Sequence, residues 1–356
     1  MKETEDFVYQ NDLETIANSD LPIEGLRSKT VLITGATGLI GSQLTRALAC
    51  INRIHNAHIR ILLFVRSEEK ANSVFGDLLK RDDIKLVIAD ILDNILIDGP
   101  VDYIFHCASV TASKVMITNP VETIDTAVQG TKNILELSRN KKCKSVIYVS
   151  SMEVYGRFFE ENTYVDEKKM GYVDPLMVRS NYPLCKRLCE NMCIAYYSEY
   201  SVPVKIVRLS QTFGAGVLPG ENRIFAQIAR SVIKEKNIVL HTEGKSEGNY
   251  CYTADAVRAL LICLIKGADG EAYNIANEDS HTTIAQMSYM VAEQIADGKI
   301  KVVFDIPKNN DFGYAADTKM KLDTRKIREL GWEPEINLKE AYMRLIESIK
   351  LTESIN

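Results

Sequence analysis

TVLITGATGLIGS, residues 30–42, is an apolar strand that runs straight into glycines at 35, 38 and 41. A GxxGxxG turn between a strand and a helix has a physical reason at each glycine. The first permits the tight turn, the second lets a pyrophosphate approach the backbone, and the third lets helix and strand pack closely. The helix that follows turns free N–H groups and the positive end of its dipole toward that phosphate. Gly35, Thr37, Gly38, Leu39, Ile40 and Gly41 are the candidate phosphate cradle.

Outward from this turn the chain alternates. HIRILLFVR, IKLVIADI, VDYIFHCAS, KSVIYVSS and VPVKIVRLS are nearly continuous in apolar residues, and stretches such as GLIGSQLTRALACI and PVETIDTAVQGTKNILELSRN have helical periodicity. That alternation predicts an α/β fold, a doubly wound parallel sheet covered on both faces. Residues 29–209 read as a dinucleotide-binding domain and 210–356 as mainly a smaller substrate-binding lobe, from which 249–267 returns to the sheet. Residues 1–28 read as a polar N-terminal extension with a short helix around DLETIANS.

Composition argues against other classes. A net charge of −5 over 356 residues gives no basic field for nucleic acid. No apolar run approaches the ~20 residues of a membrane span, and the start of the chain lacks the pattern of a signal peptide. Eight cysteines lie scattered without CxxC pairing and five histidines show no ligand spacing. No metal is expected, and a reduced, cytoplasmic setting is. Cys185, Cys189 and Cys193 fall four apart, on one helical face, and read as small packed residues.

The second strand ends in FVRSEEK, without the acidic residue that would accept hydrogen bonds from an adenosine ribose. Arg66 and Ser67 stand there instead, and a guanidinium clamps a 2′-phosphate well. NADP is favoured over NAD, the alternative being that Arg66 stacks over adenine. Asp90 and Ile91 are placed to touch the adenine, and His106, Cys107, Ala108 and Ser109 to line the ribose and pyrophosphate.

Together these residues resemble the extended short-chain dehydrogenase/reductase family, the nucleotide-sugar epimerases and dehydratases. TGATGLIGS, HCAS, GTKNILELS, VSSMEVYG, NYPLCK, VRLSQTFGAG, YCYTADAVRALL, YNIAN and LGWEP carry the likeness, over about 29–345. It implies a Rossmann sheet and a catalytic set of Ser151, Tyr182 and Lys186, the last two four apart on one helix face. Tyrosine would take the sugar hydroxyl proton while hydride leaves for the nicotinamide. A free phenol has a pKa near ~10, so activity at neutral pH asks for about 4 kcal/mol. One positive charge at ~5 Å supplies about 3 kcal/mol, so Lys186 and the nicotinamide ring are expected to act together.

The family's 4,6-dehydratases carry Thr-Asp-Glu where this chain has Ser151-Met152-Glu153. Glu153, the implied C5 base, is present, but Met152 cannot donate a proton to a departing C6 hydroxyl. Uronate decarboxylases need no such donor, and their RSxYxxxKR string matches Arg179 to Arg187. Ser109, Met152, Glu153, Gln211 and Arg223 are the implied substrate residues. Gly248 replaces an arginine that usually holds the diphosphate, with Arg223 and Lys245 as stand-ins. The expected activity is C4 oxidation to a 4-keto nucleotide sugar followed by epimerisation, dehydration or decarboxylation. An NADPH-dependent keto-sugar reductase and a non-catalytic dinucleotide-binding protein are the alternatives. The likeness also implies a homodimer through helices at 119–139 and 181–199.

Overall fold

The computed structural model describes residues 2–160, 164–307 and 317–353. Helix α1 (Phe7–Asn18) precedes strand β1 (Thr30–Thr34), which leads into α2 (Leu39–His55) and β2 (Arg60–Val65). Next come α3 (Glu68–Phe75), β3 (Ile84–Ile88), β4 (Tyr103–His106), α4 (Ser113–Thr118), α5 (Pro120–Lys141) and β5 (Ser145–Ser151). A short β6 (Tyr164–Val165) lies before α6 (Asn181–Tyr200), β7 (Val204–Leu209) and β8 (Gln211–Phe213). The remainder holds α7 (Ile224–Ile233), β9 (Ile238–Leu240), β10 (Glu247–Tyr252), α8 (Thr253–Lys266), β11 (Ala272–Ile275), β12 (Asn277–Thr283) and α9 (Ile284–Gln294). It closes with β13 (Val302–Phe304), β14 (Lys321–Leu322), α10 (Arg325–Arg328) and α11 (Leu338–Glu353).

Seven strands form the main sheet in the order β11-β7-β5-β4-β1-β2-β3, and every pair is parallel. Both faces are dry. Val31 and Ile33 point into the larger apolar cluster and Leu32, between them, into the cluster under α5 and α6. That is why the strands read as continuous apolar runs rather than alternating ones. The order reverses between β1 and β4, so a crevice opens at the carboxyl ends of those two strands, where doubly wound folds bind ligands.

The smaller lobe is built on β12-β10-β8 and two ribbons, β13-β9 and β14-β6. β11 pairs with β7 and α8 packs on β5 and β7, so the chain re-enters the sheet domain after β10. At the other end, α1 buries Val8, Tyr9, Leu13 and Ile16 against α2, α8 and α11. Among the described residues no helix is long and apolar enough to cross a membrane, and no cluster of His, Cys, Asp and Glu could hold a metal.

Candidate active site

The crevice begins at the glycine turn. A Cβ on Gly35, whose φ is +63°, would stand 2.8 Å from the backbone of Ala108. One on Gly41 would stand 2.3 Å from the Gly35 carbonyl oxygen. The backbone here approaches itself too closely for side chains. Gly38 caps α2 with no side-chain acceptor, which leaves first-turn N–H groups to be met by an outside anion. Thr37, Leu39 and Ile40 are half-buried around it, and Cys107, Ala108 and Ser109 are half-buried opposite, where the Ala108 N–H donates to Thr34 Oγ1 at 3.2 Å. These features fit a dinucleotide diphosphate.

His106 does not join them. It is buried at the end of β4, where Nδ1 pairs with Thr34 Oγ1 at 2.8 Å and Nε2 with Thr131 Oγ1 at 3.1 Å. Burial, then the Lys186 charge, hold its pKa down at about 3. The expectation that it lines the ribose is corrected: a strand's last inward residue faces the sheet, not the crevice.

Arg66 is exposed just past β2. Ser67 caps α3, its Oγ accepting the Lys70 N–H at 3.0 Å, and Glu68 and Glu69 follow in the first turn. Past β3, Asp90 Oδ1 accepts the Leu92 N–H at 2.9 Å. Ile91 lies on Gly130 of α5, where a Cβ would be 3.1 Å from Ile91 Cγ2, and Asn133 Nδ2 donates to the Ile91 carbonyl at 2.8 Å. Helix α5 thereby fixes the wall that would face an adenine.

Ser151 ends β5 in the same crevice, and Tyr182 and Lys186 project from the first turns of α6. The Ser151 side chain accepts the Glu153 N–H at 3.2 Å and is hydrogen-bonded to Tyr182. Burial, and after it the charge of Glu153, push the Tyr182 phenol above its ordinary value; Ser151 and the charges of Arg179 and Arg223 oppose them. Lys186 Nζ donates to the Val149 carbonyl at 2.7 Å and lies 5.8 Å from the Tyr182 ring centre. Burial lowers the pKa of Lys186 itself. Burial thus keeps the Tyr182 phenol protonated in the ligand-free chain.

Glu153 is not free. Both its oxygens sit 3.0–3.1 Å from Arg179 Nη2, and the Arg179 Nε is buried without an acceptor. Arg179 was read only as part of a string match. Its pairing with Glu153, 26 residues away in sequence, had no signal in the pattern. Two further missed residues hold the frame. Ser150 Oγ donates to Glu190 Oε1 at 2.6 Å, and Arg208 of β7 grips Glu190 at 2.6 Å. Glu190 lies one turn beyond Lys186, so this buried pair fixes α6 against the catalytic end of β5. Identical spacing on helix faces elsewhere carries no meaning, so only the fold reveals it.

Residues 31–276 match the model of the NAD dependent epimerase/dehydratase family. The chain belongs to this family. It is an NAD(P)-dependent enzyme of the extended short-chain dehydrogenase/reductase type. The chain is 28% identical over 323 residues to UDP-glucuronic acid decarboxylase 3 of Arabidopsis thaliana, covering 90% of this chain and 89% of that one. It is 28% identical over 339 residues to UDP-N-acetyl-alpha-D-glucosaminuronate decarboxylase of Bacillus cytotoxicus, covering 90% and 99%. UDP-glucuronic acid 4-epimerase of Bacillus cereus, solved with NAD, superposes with a TM-score of 0.72 at 22% identity over 91% and 99% of the two chains.

For an epimerase/dehydratase-family member the substrate side is unusual. Met152 is buried among Val154, Tyr155, Val165, Ala276, Met320 and Leu322. Its methyl end faces Gly248, where a Cβ would stand 3.5 Å from Cε, so two departures from the family pattern touch. Lys245 is exposed and pairs with Glu243. Arg223, at the N-cap of α7, pairs with Glu221 at 2.7 Å, and its charge reaches Tyr182. Gln211 is exposed at the start of β8. The site thus gathers Ser151, Glu153, Arg179, Tyr182 and Arg223, and leaves Lys245 outside.

Proposed function

We propose that the chain oxidises a nucleotide-linked uronate at C4 and releases its C6 carboxyl group as CO2. Met152 carries this reading. The position that holds a dehydratase's proton donor is a thioether sealed into an apolar cluster, so no acid stands there to expel a C6 hydroxyl. Decarboxylation asks for none. Relatives at 28% identity that decarboxylate UDP-linked uronates support it.

In this mechanism Tyr182 takes the C4 hydroxyl proton, and Ser151 orients that hydroxyl. Bound NAD(P)+ supplies the acceptor for the C4 hydride. The positive charge of the oxidised nicotinamide, with that of Lys186, would favour the ionised phenol. The C4 ketone makes the uronate a β-keto acid. The C5–C6 bond breaks, its electron pair stays on C5 as an enolate, and C5 then takes a proton; return of the hydride to C4 and of the Tyr182 proton to its oxygen would leave loss of CO2 as the only net change. Glu153, held by Arg179, is the carboxyl placed to move that proton. Arg223 takes the diphosphate in place of the missing arginine, with Ser109 and Gln211 toward the sugar.

Arg66, with no acid at the strand end, supports NADP over NAD. It also supports a second reading, a net reductase that draws on NADPH. The exposed Val121 and Ile124 of α5 and Leu188 and Ile194 of α6 support a homodimer through those packed helices. Eight free cysteines, all but Cys107 buried, support a cytoplasmic setting.

The test is product mass spectrometry with UDP-glucuronate and either NAD+ or NADP+. Loss of one CO2 is expected. Loss of one water from a UDP-hexose, or steady NADPH consumption by a keto sugar, overturns the decarboxylase reading.

A further inference from the structure

The segment Gly214-Ala215-Gly216 turns the chain from β8 toward α7 and Arg223, and it is held by residues far from it in sequence. Gly216 has a φ of +75°, and a Cβ there would lie 2.4 Å from the Tyr9 ring of α1. Its N–H donates to Ser348 Oγ at 2.9 Å, and that hydroxyl donates to Asp6, the N-cap of α1. The Ala215 N–H donates to the Tyr252 hydroxyl at 3.2 Å, which donates to Asp12 Oδ2 at 2.5 Å. Gln43 Nε2 of α2 donates to the Ala215 carbonyl at 2.6 Å. The Ala215 and Gly216 N–H groups therefore reach α1 or its N-cap through one hydroxyl each, and the Ala215 carbonyl is held by α2.

Asp12 is 2% exposed, and burial pushes its carboxyl up to about 6 against the pull of Tyr252 and Arg344. Burying a carboxylate is costly, and an apolar residue of similar size would stabilise the α1 packing as well or better. A buried acid whose partners are a hydroxyl on the turn and Arg344 of α11 is instead suited to fixing one geometry. Helix α1 also lies outside the stretch, 31–276, that matches the family model.

We infer that α1 is a positioning element for the substrate: through Tyr252 and Ser348 it fixes the Gly214–Gly216 turn, and thereby sets where Arg223 stands at the mouth of the site. Tyr252 and Ser348 act through the turn and touch no reacting atom. The sugar side of the inference rests on the uronate reading; the turn side does not.

The experiment uses the full chain carrying Tyr252→Phe and Ser348→Ala, singly and together, which removes two hydroxyls and leaves the packing. Amide hydrogen exchange is read without ligand at 214–223 and at 35–41. The double variant is expected to exchange about tenfold or more faster at 214–223, with 35–41 unchanged. With UDP-glucuronate, KM is expected to rise about tenfold, while kcat and the NAD+ and NADP+ dissociation constants stay within about twofold. Val291→Ala in α9, a core truncation away from the turn, controls for plain destabilisation and is expected to leave KM alone. Exchange that rises uniformly along the chain, or a KM that follows thermal stability in all variants alike, overturns the inference. If the parent protein does not turn over UDP-glucuronate, the uronate reading fails, and the exchange data still decide whether α1 holds the turn.

Discussion

The two halves of the crevice are built from different materials. The cofactor half is backbone: the turn at Gly35–Gly41 closes on itself and on Ala108 at distances no side chain tolerates. The substrate half is side chains brought from afar, Arg179 onto Glu153 and Met152 onto Gly248. Backbone geometry admits one solution and so repeats across a family, whereas a constellation of side chains can be exchanged piece by piece. Recognising the cofactor is therefore straightforward, and the sugar has to be argued.

The sharpest break of that contrast is Gly41→Ala. Its Cβ would meet the Gly35 carbonyl oxygen at 2.3 Å, so NAD+ and NADP+ titrations are expected to show no binding. Gly38→Ala, with 3.2 Å to the same atom, is expected to weaken binding only modestly. Equal losses would show that the turn is not set by close approach. Next in size is Tyr182→Phe. Turnover is expected to fall by about 10²–10⁴-fold with cofactor binding intact, measured by single-turnover kinetics.

A smaller effect comes from His106, which ties β1 to α5 within the cofactor half. Its folded pKa of about 3 lies below the unfolded value, so acidification protonates the unfolded chain first and stability is lost as pH falls from 6.5. Between pH 6.5 and 5 the histidine removes about 2 kcal/mol. Asp12 and Asp255, pushed up to about 6 by burial, act in the opposite sense over the same window. The quantity to measure is therefore the difference between the parent and His106→Gln in how the urea-unfolding free energy changes with pH, the variant being expected to be less acid-labile. An identical pH slope in both would be evidence against a neutral buried imidazole. Comparable in size is Arg66→Asp: if Arg66 holds a 2′-phosphate as proposed, losing that charge-assisted contact, about 1.5–3 kcal/mol, is expected to move the NADP-to-NAD ratio roughly tenfold or more toward NAD.

Much of the sheet was legible because its strands are buried on both faces and its helices keep their periodicity. The stretch KTVLITGA contains β1 and KSVIYVSS contains β5, and the long helix begins at Pro120, whose fixed φ suits a first turn. Helix α1 was harder to read. Its Gln10 and Asp12 look like solvent-facing residues, yet both are buried because Glu3, Tyr252 and Arg344 satisfy them. Polarity signals exposure only when the partner is water. The Glu190–Arg208 pair was hidden for the same reason, and Arg179 because nothing local in sequence distinguishes a guanidinium that will meet Glu153 from one that faces solvent.

Met152 and Gly248 make one wall of the substrate side. A side chain at 248 would start in van der Waals contact with the Met152 methyl, its Cβ 3.5 Å from Cε. An aspartate restored at 152 would be enclosed by Val154, Val165 and Leu322 with no described basic partner in that cluster. The two positions therefore share one packing contact, and the volume at 248 and the side chain at 152 have to be changed as a unit.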